Sequence, residues 1–255
     1  MEQAIFFQAL RENLRLRRFL PWIVLGVLLV FGFGHLWSTF QPDASLEQRY
    51  GTVSSILVFH ILALTSAILT STILSQEIEQ KTIVYLVTRP VPRWKLLLFR
   101  YLACGLVVSF LGGFNAVCAS VGVYGSLGAG ASLAKDIAAI VVGAFAYGAF
   151  FMFLGLLFNR AMIMCLLFAF GWETMVPNMP GQMCYLSINS YLQAIAQHPS
   201  QGGNKGLGLL TSTAGDNTLT SSVGYMAMIG FAVALVALSA WWFSTFEYLP
   251  REDAE

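Results

Sequence analysis

The stretch Gln76–Tyr101, QEIEQKTIVYLVTRPVPRWKLLLFRY, decides how this chain is read. It holds Glu77 and Glu79, two of the chain's 13 acidic residues, and Lys81, Arg89, Arg93, Lys95 and Arg100, five of its 14 basic ones. Long apolar runs flank it on both sides. Such a polar, basic elbow is where a membrane-embedded chain meets the aqueous phase. Gln76–Val87 is spaced for a helix, with Glu77 and Lys81 in the favourable i,i+4 order. Ile83–Val87 is apolar and would lie at the membrane boundary, so that the helix crosses the surface and shows one side to the cytoplasm. Pro90 and Pro92 end that helix, because each lacks an amide donor and restricts the residue before it. Pro92 also suits the first turn of a new helix begun by Arg93, Trp94 and Lys95. The expected element is helix, sharp corner, helix. On composition alone a topogenic loop, whose basic residues only set orientation, is the better reading, since basic inner loops are common.

Outward from the elbow the chain is lipid-compatible. It is 57% hydrophobic and 11% charged, with a mean hydropathy of +0.69, whereas soluble domains carry about 25% charge. With so little charge, most of the surface must face lipid. The net charge of +1 gives no bulk attraction to nucleic acid. Cys104, Cys118 and Cys165 sit in apolar runs and Cys184 outside them, without the spacing of a metal site or a disulfide framework.

Six apolar runs are expected to span the bilayer as helices, near 19–39, 53–74, 101–124, 137–158, 161–176 and 223–246. Most approach the ~20 residues needed, and continuous rather than alternating runs favour helices over a barrel. The fifth is short and ends at Pro177. With the N-terminus inside, the inner segments hold eleven Lys and Arg and the outer ones three (Arg49, Lys135, Lys205), a positive-inside bias that makes both termini cytoplasmic. Trp22, Trp94, Trp241 and Trp242 then fall near the inner interface, and Trp37 and Trp172 near the outer one.

Residues 1–18 are not a cleavable signal, since the apolar run beyond them outlasts a signal core. Ile5, Phe6, Ala9, Leu10 and Leu14 recur at helical spacing, with Arg11, Arg15 and Arg18 on another face. That favours an interfacial helix over a charged flank that only sets topology. Residues 40–52 and 125–136 read as short connectors. The last outer loop, 177–222, starts with an uncharged amphipathic half, expected to dip into the outer leaflet as short helices. A Gly-, Ser-, Thr- and Asn-rich return follows.

The elbow resembles the cytoplasmic elbow of type-2 ABC-transporter permeases. Glu77-x-Glu79-x-Lys81-Thr82 is similar to their acidic pair and Gly/Lys-Thr step, and Thr88-Arg89-Pro90-Val91-Pro92-Arg93-Trp94-Lys95 to their Arg-Pro-Val-x-Arg run. Family members often carry Gly where Lys81 stands. Gly171-Trp172-Glu173 through Pro180-Gly181 to Leu186-Ser187-Ile188 resembles the end of the fifth span and outer re-entrant segment of bacterial members. The resemblance implies an all-α integral membrane protein, a single domain over 1–255. It would have six transmembrane helices, an N-terminal interfacial helix, a cytoplasmic coupling helix within 76–95 and an outer re-entrant segment before the last span. It further implies a homodimer in a bacterial inner membrane, each copy bound to a separate ATP-binding subunit that holds ATP and Mg. ATPase coupling would fall on Glu77, Glu79, Lys81, Thr82, Arg89, Pro90 and Arg93, with a second contact at the inner turn of Asn159 and Arg160. The substrate would be exported, or, alternatively, the subunit would anchor and pass ATPase motion to a periplasmic or outer partner.

The residues themselves agree that ATP hydrolysis lies elsewhere. No G-x-x-x-x-G-K-[ST] loop occurs, and Gly202-Gly203-Asn204-Lys205-Gly206 lacks the final hydroxyl. No cofactor is expected in this chain. Glu173, an acid at the outer end of a span, is either a substrate-path or outer-gate residue or a hydrogen-bond partner of the dipping segment. Asn115 on the third span reads as an interhelical hydrogen bond before a substrate contact, and Gly112, Ala116 and Ser120 as a packing face. His35 and His60 read as packed or interfacial and His198 as a loop residue. An intramembrane enzyme would need a nucleophile–base or metal pair, and a secondary transporter repeats and buried charges; neither pattern stands out.

Overall fold

The computed structural model describes residues 2–14, 16–40, 45–79, 93–126, 128–158, 160–176, 185–198 and 221–245. Among these the regular elements are all helical. In chain order they are α1 (Glu2–Asn13), α2 (Leu16–Leu25) and α3 (Gly32–Phe40), then α4 (Leu46–Val53), α5 (Phe59–Glu79), α6 (Arg93–Tyr124) and α7 (Gly130–Leu157). They continue with α8 (Ala161–Leu167), α9 (Glu173–Met175), α10 (Ile188–Ala196) and α11 (Ser221–Thr245). Wide π-helical turns at Gly26–Phe31, Ser54–Val58 and Phe168–Trp172 join α2 to α3, α4 to α5 and α8 to α9. Among the described residues five stretches are long and apolar enough to cross a membrane: Phe19–Trp37, Leu46–Ser71, Trp94–Tyr124, Gly130–Leu157 and Ser221–Thr245. The fifth expected span, near 161–176, is a shorter apolar helix, Ala161–Met175.

Two stretches expected as connectors are partly helical. Residues 46–53 are polar yet helical because Ser45 caps them. Its hydroxyl accepts from the Gln48 amide at 3.3 Å, while Gln48 Oε1 accepts from the Ser45 amide at 3.4 Å, a reciprocal capping box. Residues 130–136 likewise form the first turns of α7, so Lys135 and Asp136 sit on a helix and not in a loop. At the other end, α5 continues unbroken through Glu77 to Glu79, and α6 begins at Arg93. The span helices therefore run into the elbow from both sides; residues 80–92 lie outside the described ones.

The core is the packing of α5, α6 and α7. Small residues set their spacing. A Cβ on Gly112 would stand 2.6 Å from Ile140 Cγ2 and 2.9 Å from Leu62 Cδ1, and one on Gly105 2.5 Å from the Phe145 ring. Ala116 and Ser120 continue that face, fully buried, which makes Gly112, Ala116 and Ser120 the packing face their spacing suggested. Tyr101 donates to the Phe145 carbonyl at 2.8 Å across the same seam. The first span runs along α6, with Phe19 stacked on Phe110 and Gly34 against Gly122. Helix α1 also packs on α6, burying Ala9 and Asn13 and leaving Phe7, Arg11 and Leu14 exposed. The first span and α11 are mostly uncovered, with large apolar side chains such as Leu28, Met226 and Val233 exposed.

Candidate functional site

Residues of functional interest fall at the two ends of the bundle. The basic end carries the start of α6 and the turn between α7 and α8. Helix α7 stops at Leu157, Phe158 is extended (φ −106°, ψ 140°), and Arg160 (φ −109°, ψ 62°) leads directly into α8. Arg160 is exposed. Helix α5, which ends at Glu79, packs along α8, which begins at Ala161. Lys95 lies 5.7 Å over the Trp94 ring, a cation–π contact at the exposed start of α6. Arg93 is the first residue of that helix. Lys81, Thr82, Arg89, Pro90 and Asn159 lie outside the described residues.

The far end holds Glu173, 1% exposed, on the short helix that follows the π-helical turn at Phe168–Trp172. Its Oε2 accepts from Ser187 Oγ at 2.6 Å and from the Asn189 amide at 3.0 Å, and its Oε1 accepts from the Ile188 amide at 3.1 Å. The hydroxyl of fully buried Tyr147 faces the same carboxylate. Ser187 stands at the N-cap of α10 but makes no cap bond of its own. Glu173 caps that helix from another segment, placing a carboxylate where unpaired amides and the helix dipole favour negative charge. Trp172 Nε1 donates to the Leu186 carbonyl at 3.2 Å beside it. Helix α10 buries Ile188, Leu192, Ile195 and Ala196 against α7 and α11. Residues 177–184 and 199–220 lie outside the described ones.

Asn115 does not sit with Glu173. It is 1% exposed between α6 and the first span, where a Cβ on Gly26 would fall 2.0 Å from its Oδ1. Among the described residues neither its Oδ1 nor its Nδ2 has a hydrogen-bond partner; the facing position is a glycine with no side chain to answer the amide.

The sequence reading missed a second buried acid. Asp136, fully buried, accepts from Ser54 Oγ at 2.6 Å, and its Oδ1 lies 2.8 Å from His198 Nε2. His198 is 7% exposed at its side chain and is not a free loop residue. Its ring meets Tyr50 edge-on at 5.9 Å and tilts over Phe59 at 6.2 Å. The sequence signal was faint: an acid opening an apolar run, with its partners 82 and 62 positions away.

Bundled apolar helices, with charge kept to the ends and to capped buried carboxylates, define a multi-pass all-helical membrane protein. A family model described as "ABC-2 family transporter protein" matches residues 11–179, well over half of the chain. The chain belongs to that family. It is a type-2 ABC-transporter permease, a membrane transport component that is not itself catalytic. The match takes in the elbow, Asn115, Asp136 and Glu173 and ends before α10. Comparison with curated proteins gave no match.

Proposed function

We propose that this chain is the permease subunit of an exporter in a bacterial inner membrane, pairing with a second copy and driven by a separate ATP-binding subunit. The observation that carries the reading is the length of α6. Its 32 residues rise about 48 Å, against a hydrocarbon core of about 30 Å, and its apolar run, 101–124, lies at the far end. The surplus is the basic turn pair Arg93–Arg100. A stiff helix thus projects from the membrane beside Glu77 and Glu79, and residues 80–92 join the two.

In this reading the basic end is cytoplasmic, as are both termini. ATP and Mg sit in the partner, whose closure pushes on the 76–95 elbow and on the Asn159–Arg160 turn. The push travels along α5 and α6 because side chains of α7 (Ile140, Phe145) and α5 (Leu62) seat directly on α6 at Gly105 and Gly112, so the helices shift as a packed unit. The interior of one copy is filled by Leu62, Leu111, Ile140, Tyr147, Phe151 and Met152. A substrate route therefore runs between two copies, and the uncovered faces of the first span and α11 are available to lipid and to the second copy. Replacing Glu79 or Arg89 with Ala should leave membrane insertion intact and separate ATP turnover from transport. Full coupling in both variants would remove the elbow from the mechanism.

A further inference from the structure

Helix α10 is held by a buried acid at each end, and the two holds differ in kind. At its N-terminal end Glu173 takes two backbone amides and one hydroxyl; amides cannot rotate away while the helix persists. At its C-terminal end the hold is made by side chains alone. Gln197 adopts the left-handed conformation (φ 54°, ψ 40°), which is unfavourable for an L residue with a long side chain. That turn directs His198 back to Asp136. The Gln197 amide makes only exposed bonds, accepting from Lys135 Nζ at 2.9 Å and donating to Ser221 Oγ at 3.0 Å. Gly51 provides the space, since a Cβ there would lie 3.2 Å from His198 Cβ.

We propose that Asp136, His198 and Ser54 form an outer latch. The latch ties the C-terminal end of α10 to the Tyr50–Ser54 turn and to α7, and it opens while Glu173 keeps the other end seated. Asp136 Oδ1 and His198 Nε2 approach to 2.8 Å, yet neither atom has a hydrogen-bond partner among the described residues; that close but unsatisfied contact, with the left-handed residue beside it favouring release, is the balance a two-state element needs. Release would free Gln197 from Ser221 and so uncouple the start of α11 from α7. The latch itself rests on this geometry; its link to nucleotide rests on the permease reading.

The test uses the full chain in native membranes, in a Cys184→Ser background, with single reporters at either end of α10, Ala196→Cys or Ile188→Cys. The probe is a membrane-impermeant maleimide. Adding His198→Ala or Asp136→Asn should speed labelling at 196 on the order of tenfold or more and leave 188 within about twofold. His198→Gln, which keeps a donor, should recover part of the protection. Unchanged labelling at 196 would overturn the latch, and so would equal acceleration at both reporters, which would make the pair a general support of the fold.

A second comparison leaves the latch residues in place. In the Ala196→Cys reporter with Asp136 and His198 unchanged, labelling should rise at least about threefold when ATP and vanadate trap the partner ATPase. Equal labelling in both states would show that the latch never opens. Failure of any ATPase to bind would sink the permease reading, and the resting labelling comparison would still decide the latch.

Discussion

Glu173→Gln is nearly isosteric, and its cost follows from three hydrogen bonds. The carboxylate offers two acceptor oxygens to Ser187 Oγ and to the amides of Ile188 and Asn189. An amide offers one oxygen. In either orientation its NH2 group faces a donor, so at least one buried donor loses its acceptor and the bonds that remain lose their charge assistance. At about 1–3 kcal/mol for an unsatisfied buried group and somewhat less for each weakened bond, the loss is about 2–4 kcal/mol. It falls on the α10 N-terminus. Hydrogen exchange in nanodiscs reads it directly, because two of the donors are themselves exchangeable amides. Exchange at Ile188 and Asn189 should accelerate roughly 30- to 1,000-fold, taking about 1.4 kcal/mol per tenfold change. The amides of central α7 should stay within about threefold of the unsubstituted protein. Acceleration below about threefold at both positions would refute the view that the carboxylate caps this helix.

Other substitutions probe the packing and the lone amide. Gly112→Val should cost about 2–3 kcal/mol or more and lower the melting temperature, since even its Cβ would stand inside the contact distance of Ile140 and Leu62. A Tm unchanged within error would mean the seam can relax. Asn115→Leu should raise stability by about 1–2 kcal/mol in chemical unfolding, because both amide atoms are buried without partners. If that variant also loses transport, the amide serves the substrate path. If it is destabilised instead, the amide has a structural role that these contacts do not show.

The spans were legible because lipid leaves a continuous apolar record in each one. Their ends were less so. The polar run Leu46-Glu47-Gln48-Arg49 resembles a connector, yet the Ser45…Gln48 spacing is a capping-box signature, and reading it would have lengthened the second span. The start of α6, by contrast, was legible: the sequence reading opened a new helix at Arg93, Trp94 and Lys95, and the helix begins at Arg93. Glu173 could be singled out as an acid at a span end. Its partners were half legible, since Ser187 and Ile188 lay in a stretch already set apart. The Asp136–His198 contact was illegible because it is purely tertiary, and the turn that creates it uses Gln197 where a glycine or asparagine would have marked a left-handed cap.

If a separate ATPase drives this bundle through the 76–95 elbow, mild-detergent purification of the tagged chain from its native membranes should bring down a stoichiometric ATPase with a phosphate-binding loop, lost when residues 76–93 are altered although the chain still inserts. A chain recovered without any ATPase, even after cross-linking in the membrane, would mean that the elbow receives no such drive.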